Sequence, residues 1–323
     1  MKAVAQYAYG SCEVLELRDI EKPTPGPGEV LIRVRAAAVD AGVWHLMTGL
    51  PYLLRLFGYG LRAPKVPVRG RELAGRVEAT GAGVTRFRPG DEVFGICEGS
   101  FAEYAVASQD KLAAKPAGLP LEQAAAMPLS GLTALQALRD AGHVQPGQRV
   151  LVIGAAGGVG SFTVQLAKAF GAHVTGVCST SKTELVRSIG ADDVIDYTAE
   201  EVTDGRRGYD LIIDTAGNRP LSHLRRALSP RGTLVIVGGE TGGRWLGGTD
   251  RVMRAGLLSP FVRHTLRGFI SKERREDLDI LVRHIEAGAL TPVIDRTYAL
   301  PQAPDAIARQ HRGEARGKIL VIP

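Results

Sequence analysis

Six residues of this chain, Ala155-Ala-Gly157-Gly-Val-Gly160, have the types and spacing to hold a phosphate without a charged side chain. The strand-like run Arg149-Val-Leu-Val-Ile153 precedes them, and a helical stretch ending at Gly171 follows. In that setting they match the dinucleotide pattern G-x-G-x-x-G, with alanine at its first position. Gly157 lets the backbone approach a pyrophosphate, Gly160 lets helix and strand pack closely, and open amides at the helix start hold the anion. Ala156, Gly157, Gly158 and Val159 are the expected contacts.

Which dinucleotide fits is decided at the end of the next strand, read at His173 to Cys178. A free ribose 2′-hydroxyl is met there by Asp or Glu, about 20 residues beyond the loop. No acidic residue occurs from Ser161 through Thr183, and the loop reads Cys178-Ser-Thr-Ser-Lys182. The hydroxyls of Ser179 and Thr180 and the ammonium of Lys182 suit a 2′-phosphate, so NADPH is expected over NADH. Ser181-x-x-Glu184 also has the form of a capping box, which could open the following helix on its own account.

The elements that must position these residues divide the chain. Up to about residue 120, glycine and proline break short strands such as Val30-Leu-Ile-Arg-Val-Arg35, where apolar and basic side chains alternate. From Leu121 the pattern becomes strand–helix alternation, which means βαβ units and a doubly wound parallel sheet. Leu278, Leu281, Val282 and Ile285 give one apolar face to a helix from about Ser271 to Ala287. The closing Gly317-Lys-Ile-Leu-Val-Ile322 reads as a strand that returns to the first domain. The expected division is an α/β chain with a discontinuous β-rich domain, 1–124 and 266–323, around a nucleotide-binding domain, 125–265.

Composition sets wider limits. The 323 residues carry a net charge of +6, with 45% hydrophobic and 23% charged content, as in a globular protein. No apolar run reaches the roughly 18 residues of a membrane span, and no signal peptide opens the chain, so no stable membrane insertion is expected. Cys12, Cys97 and Cys178 form no Cys-x-x-Cys pair, which makes a reducing cytoplasm the expected compartment. The basic run Arg251 to Arg275 reads as a solvated face, and no nucleic-acid partner is expected.

Further motifs carry a family resemblance. They are Gly70-Arg-Glu-Leu-Ala-Gly75, Gly81-Ala-Gly-Val84 with Phe87-Arg-Pro-Gly-Asp-Glu-Val93, Gly131-Leu-Thr-Ala134, Gly190-Ala-Asp-Asp-Val-Ile-Asp-Tyr197 and Ala315-Arg-Gly-Lys318. With the glycine loop, they resemble the medium-chain dehydrogenase/reductase superfamily, close to its zinc-free quinone oxidoreductase branch. The resemblance implies a GroES-like β domain beside a Rossmann domain, with the active site in the cleft, and a homodimer. It further implies that Lys182 and Tyr197 meet the adenosine phosphate end. Thr133, Gly238, Gly239, Phe269 and Ile270 would lie near the nicotinamide.

Zinc-dependent members place a Cys and a His where this chain has Asp40 and Arg71. A permanent cation repels Zn²⁺, so no metal is expected. Without a Lewis acid, the favoured acceptors spread the developing charge over a conjugated system, namely quinones and α,β-unsaturated carbonyls. In zinc-free relatives an Asn and a Tyr stand near the nicotinamide, which makes Asp40 and Tyr52 the candidate catalytic residues. Asp40 departs from the Asn and is open to a structural role instead, and Tyr52 to ordinary packing. His45 is a candidate proton relay against a packing role. The apolar and basic segment 49–69 reads as a lid in preference to a membrane-surface patch. Two alternatives stay open, a metal-free NADP-dependent alcohol dehydrogenase and a non-catalytic NADPH-binding sensor.

Overall fold

The computed structural model describes residues 1–202, 208–239 and 243–323, less the side chains of 57 and 58. The chain forms two compact units, Met1–Leu132 with Glu273–Pro323, and Thr133–Lys272.

The first unit opens with strands β1 (Lys2–Ala5), β2 (Glu16–Asp19), β3 (Glu29–Val39), β4 (Glu72–Thr80), β5 (Glu92–Ile96), β6 (Tyr104–Ser108) and β7 (Leu112–Ala114). Helix α1 (Ala41–Thr48) follows β3, and α2 (Leu121–Ala124) follows β7. Next, α3 (Pro128–Gln136) carries the chain over the unit boundary. The second unit holds β8 (Arg149–Ile153), α4 (Gly158–Ala169), β9 (His173–Cys178), α5 (Thr183–Ser188) and β10 (Asp193–Asp196). It continues with β11 (Tyr209–Asp214), α6 (Leu221–Ala227), β12 (Leu228–Ile236), α7 (Thr249–Leu258) and β13 (Thr265–Gly268). The chain then returns to the first unit as α8 (Arg275–Glu286), β14 (Ile294–Ala299), α9 (Ala303–His311) and β15 (Lys318–Ile322).

In the first unit the strand order is β14-β15-β3-β4-β5-β7, with β6 also pairing β3. β3 shows why: Val30, Ile32 and Val34 are buried and Arg33 and Arg35 exposed, the alternation its sequence calls for. α1 is a helix that the strand-rich reading of this region does not include. Its signals are local. The Asp40 carboxylate accepts from the Gly42 amide at 2.6 Å, and Gly49 ends the helix at φ 63°. Trp44 of α1 stacks on His311 of α9, with ring centroids 3.5 Å apart.

One polar pair lies inside this core. Glu72 and Lys318 are 0% and 2% exposed, and the Lys318 ammonium is bonded to the Glu72 carboxylate. The other Glu72 oxygen accepts from the Leu129 amide at 3.0 Å. Two motifs far apart in sequence, at Gly70–Gly75 and Ala315–Lys318, therefore meet.

The second unit's strands run β10-β9-β8-β11-β12-β13, all parallel. Buried on both faces, they are apolar runs such as Val150-Leu-Val-Ile153. The order reverses between β8 and β11, the point where sheets of this kind bind ligands beyond their carboxyl ends. β13 belongs to this sheet, and residues 125–132 belong to the first unit, so both unit limits fall later than the boundaries read from the sequence. The helix expected from about Ser271 is shorter, starting at Arg275.

Candidate functional site

The glycine loop sits at the carboxyl end of β8. Gly154 leaves the strand at φ 82°, and Gly157 caps α4 without a side chain. A Cβ on Gly160 would overlap the Gly154 carbonyl oxygen, whereas one on Gly157 would meet only that oxygen, at 3.3 Å. Packing therefore dictates Gly160, while a Cβ at Gly157 would be tight against one backbone oxygen only. The first amides of α4, at Gly158 and Val159, have no acceptor one turn earlier in the helix. With Ala155 and Ala156 buried behind them, they form a cradle that a pyrophosphate fits.

At the ends of β9 and β10, Ser179, Thr180, Lys182 and Tyr197 come together. Tyr197 is 51% exposed, its amide donates to the Cys178 carbonyl at 3.1 Å, and its ring lies 5.7 Å from the Arg219 guanidinium. The expected capping box does not form: no side chain caps α5, and the Thr183 hydroxyl donates to the Thr180 carbonyl instead. The sequence window also misses a carboxylate. Parallel pairing sets Asp196 opposite Cys178, and the Thr180 hydroxyl donates to it at 2.6 Å. Bonds from Thr180 and Thr198 hold the Asp196 carboxyl below its ordinary range. The Cys178 thiol is pushed up to about 11 by burial, helped by Asp196 and opposed by Lys182, which puts all three in one neighbourhood.

The remaining cofactor candidates line up along the same sheet edge. The amides of Val237 and Gly238 both donate to the Asp214 carbonyl, and the Phe269 amide donates to Ile236. Gly239 lies so close to Gly248 that a Cβ would sit 2.9 Å from its Cα. The Thr133 hydroxyl donates to Ser271 at 3.0 Å, and Gln136 bonds both ways with the Lys272 backbone, which places Phe269 and Ile270 beside α3. Ile270 itself is 90% exposed. Asp214, the last residue of β11, carries no motif in the sequence. It is fully buried, receives the Ala216 and Gly217 amides and pairs with Arg251 of α7, which ties that helix to the glycine turn.

In the first unit, Asp40 stands beside Arg71, whose guanidinium donates to Glu273 at 2.9 Å. Burial works against the Arg71 charge, but Asp40 and Glu273 outweigh it and raise its pKa. The second Asp40 oxygen is buried with no hydrogen-bond partner among the described residues. Tyr52 is half-buried, with the Arg55 guanidinium 4.8 Å from its ring centre and 4.2 Å from that of Tyr9. His45 Nδ1 lies within hydrogen-bond distance of the Leu50 carbonyl, at 2.9 Å. Among the described residues, no three His, Cys, Asp or Glu side chains form a metal-binding group.

The chain matches the family model for the alcohol dehydrogenase GroES-like domain over residues 26–117 and that for zinc-binding dehydrogenases over residues 189–321. It is 31% identical to the chloroplast envelope quinone oxidoreductase homolog of Arabidopsis thaliana, across 100% of this chain and 98% of that one. The quinone oxidoreductase of Coxiella burnetii superposes with a TM-score of 0.88 at 28% identity, covering 100% and 99% of the two chains. That of Escherichia coli, solved in complex with NADPH, gives 0.85 at 26% identity and 100% coverage of both. With both domain models matched and this likeness running the length of the chain, it belongs to the medium-chain dehydrogenase/reductase superfamily as a quinone oxidoreductase-like member.

Proposed function

We propose that this oxidoreductase reduces quinones or α,β-unsaturated carbonyls with NADPH and without a catalytic zinc ion. The observation that carries the reading is the cradle at Gly157–Val159, set at the switch point of a sheet whose relatives include a quinone oxidoreductase solved with NADPH. When bound, the dinucleotide supplies hydride. The α4 amides hold its pyrophosphate, and Ser179, Thr180 and Lys182 face the 2′-phosphate, with Tyr197 against the adenosine. Thr133, Gly238, Gly239, Phe269 and Ile270 shape the nicotinamide end. Arg71, paired with Glu273, is a permanent cation where the sequence resemblance aligns a ligand of zinc-dependent members, which supports the metal-free reading. Asp40 positions α1 and Arg71, and Tyr52 supplies the proton that completes reduction.

A panel of 1,4-quinones, enones, matched saturated ketones and secondary alcohols tests this, with NADPH oxidation followed with and without a chelator. Quinones or enones should turn over fastest, and chelation should change nothing. Tyr52→Phe should lower kcat more than it changes NADPH affinity. Faster saturated ketones or alcohols would install the alcohol dehydrogenase reading. A cofactor that binds without any turnover would install the sensor.

Asp196 favours a second reading, in which NADH also serves, because a carboxylate at this strand end can take the ribose hydroxyl. For the NADPH reading, binding should favour NADPH over NADH by about one to two orders of magnitude, the value of one or two charge-assisted contacts. Lys182→Ala should erode that preference and Asp196→Asn widen it. Equal affinities in the unmutated protein would hand the case to NADH.

A homodimer is part of the proposal. Support comes from β13, an edge strand with α7 packed against it, and from Leu257 and Phe261 nearby, which are 72% and 86% exposed. The cytoplasm is the proposed compartment, supported by three free cysteines.

A further inference from the structure

The first unit contains a cavity of about 310 Å³ whose wall carries three basic side chains, Lys65, Arg69 and Arg71. That volume sits at the lower end of the roughly 300–1,000 Å³ range of small-molecule sites. Arg71 is satisfied by Glu273, and Lys65 is exposed at the rim. Arg69 differs from both. It is only 5% exposed, yet its Nε has no hydrogen-bond partner, and its guanidinium enters no ion pair among the described residues. The backbone at this position is held in place. Its amide donates to the Val4 carbonyl at 3.1 Å and its carbonyl accepts from the Phe101 amide at 2.8 Å, which fastens the backbone to both sides.

Buried charges in folded proteins are paired or bind ions, and Arg69 has neither arrangement within the chain. Burial accordingly pushes its pKa down to about 10, with Tyr9 and Glu98 opposing only through space. Glu98 is the single carboxylate on the described cavity wall, and it is exposed. The rest of the wall near Arg69 is apolar, including Val43, Leu46 and Tyr59. A cavity with an apolar wall at Val43, Leu46 and Tyr59 and a guanidinium outside any ion pair is complementary to a flat hydrophobic body bearing one oxyanion.

We propose that Arg69, with Lys65 at the rim, forms an anion subsite that selects ligands carrying a carboxylate or sulfonate on an aromatic or conjugated body. The anion site stands on this geometry alone, while its use in choosing acceptors rests on the reductase reading above.

Titration calorimetry of the full-length protein with naphthalene-1-sulfonate and its neutral isostere naphthalene-1-sulfonamide tests the site without any turnover. The sulfonate should bind about tenfold to hundredfold more tightly, the value of a hydrogen bond to a charged group. Arg69→Met should remove that gap and Arg69→Lys should retain part of it. Because Arg69→Met deletes an unpaired buried charge, its melting temperature should hold or rise. Equal binding of the two probes, or a gap that survives in Arg69→Met, overturns the proposal. In turnover, the ratio of kcat/KM for 1,4-naphthoquinone-2-sulfonate to that for 1,4-naphthoquinone should exceed ten and collapse in Arg69→Met. If neither quinone is reduced, the reductase reading fails and the calorimetry still decides the anion site.

Discussion

Lys318→Met should lower the unfolding free energy by about 3–5 kcal/mol, the usual result of leaving one member of a buried ion pair alone. Glu72 is fully buried, and burial drives its pKa up while Lys318 opposes the shift, so the carboxylate depends on that ammonium. Removing Glu72 outright would orphan the Leu129 amide as well, at a further cost of about 1–3 kcal/mol. The informative partner is therefore Glu72→Gln, whose amide oxygen still accepts from Leu129 and carries no charge. The double variant Glu72→Gln/Lys318→Met should recover most of what Lys318→Met loses. Urea unfolding followed by circular dichroism measures all three, with two transitions allowed because the chain has two units. A Lys318→Met loss within about 1 kcal/mol, with no recovery in the double variant, would show that the pair does not support the core.

The two glycines of the loop should separate binding from folding. Gly157→Val sets its Cβ 3.3 Å from the Gly154 carbonyl oxygen, a tight contact but no overlap, at an ordinary φ of −83°, so the melting temperature should fall much less than in Gly160→Ala. Its methyl groups would nonetheless occupy the approach to the α4 amides. Losing two amide contacts to an anion costs about 3–6 kcal/mol, which is roughly two to four orders of magnitude in NADPH affinity. Gly160→Ala should do the opposite. Its Cβ overlaps the Gly154 carbonyl, so the second unit should lose about 1–3 kcal/mol or more through overpacking. Thermal melts beside fluorescence titration of NADPH distinguish the two. Retention of full affinity in Gly157→Val would remove the cradle from the binding site.

How far these features were legible in the sequence depends on the distance over which each is determined. The β3 alternation and the β8–loop–α4 unit are local, written in neighbouring residues, and the structure has them where the pattern puts them. α7 is amphipathic too, but its Arg251 and Arg254 made it read as part of a solvated basic run. In the fold Arg251 turns inward to Asp214, a pairing no local pattern announces. Asp196 escaped because the search for an acidic partner ran along the chain from the glycine loop, whereas strand pairing brings it in from the side. Arg69 carries no motif at all. Only the burial of its side chain, a tertiary property, separates it from the exposed cations of the same segment.

The position of β15 also governs the order in which this protein can assemble during synthesis. β15 lies between β14 and β3, so β3 gains that neighbour only when residues 318–322 have emerged. By then the whole contiguous second unit, Thr133–Lys272, has already been made. Domains fold as units during translation, so the second unit can fold while the first still has an open sheet edge and Glu72 lacks its counter-charge. The first 132 residues are thus the last part of the molecule to close, and the nascent chain passes through a stage in which its Rossmann-like unit precedes its GroES-like one.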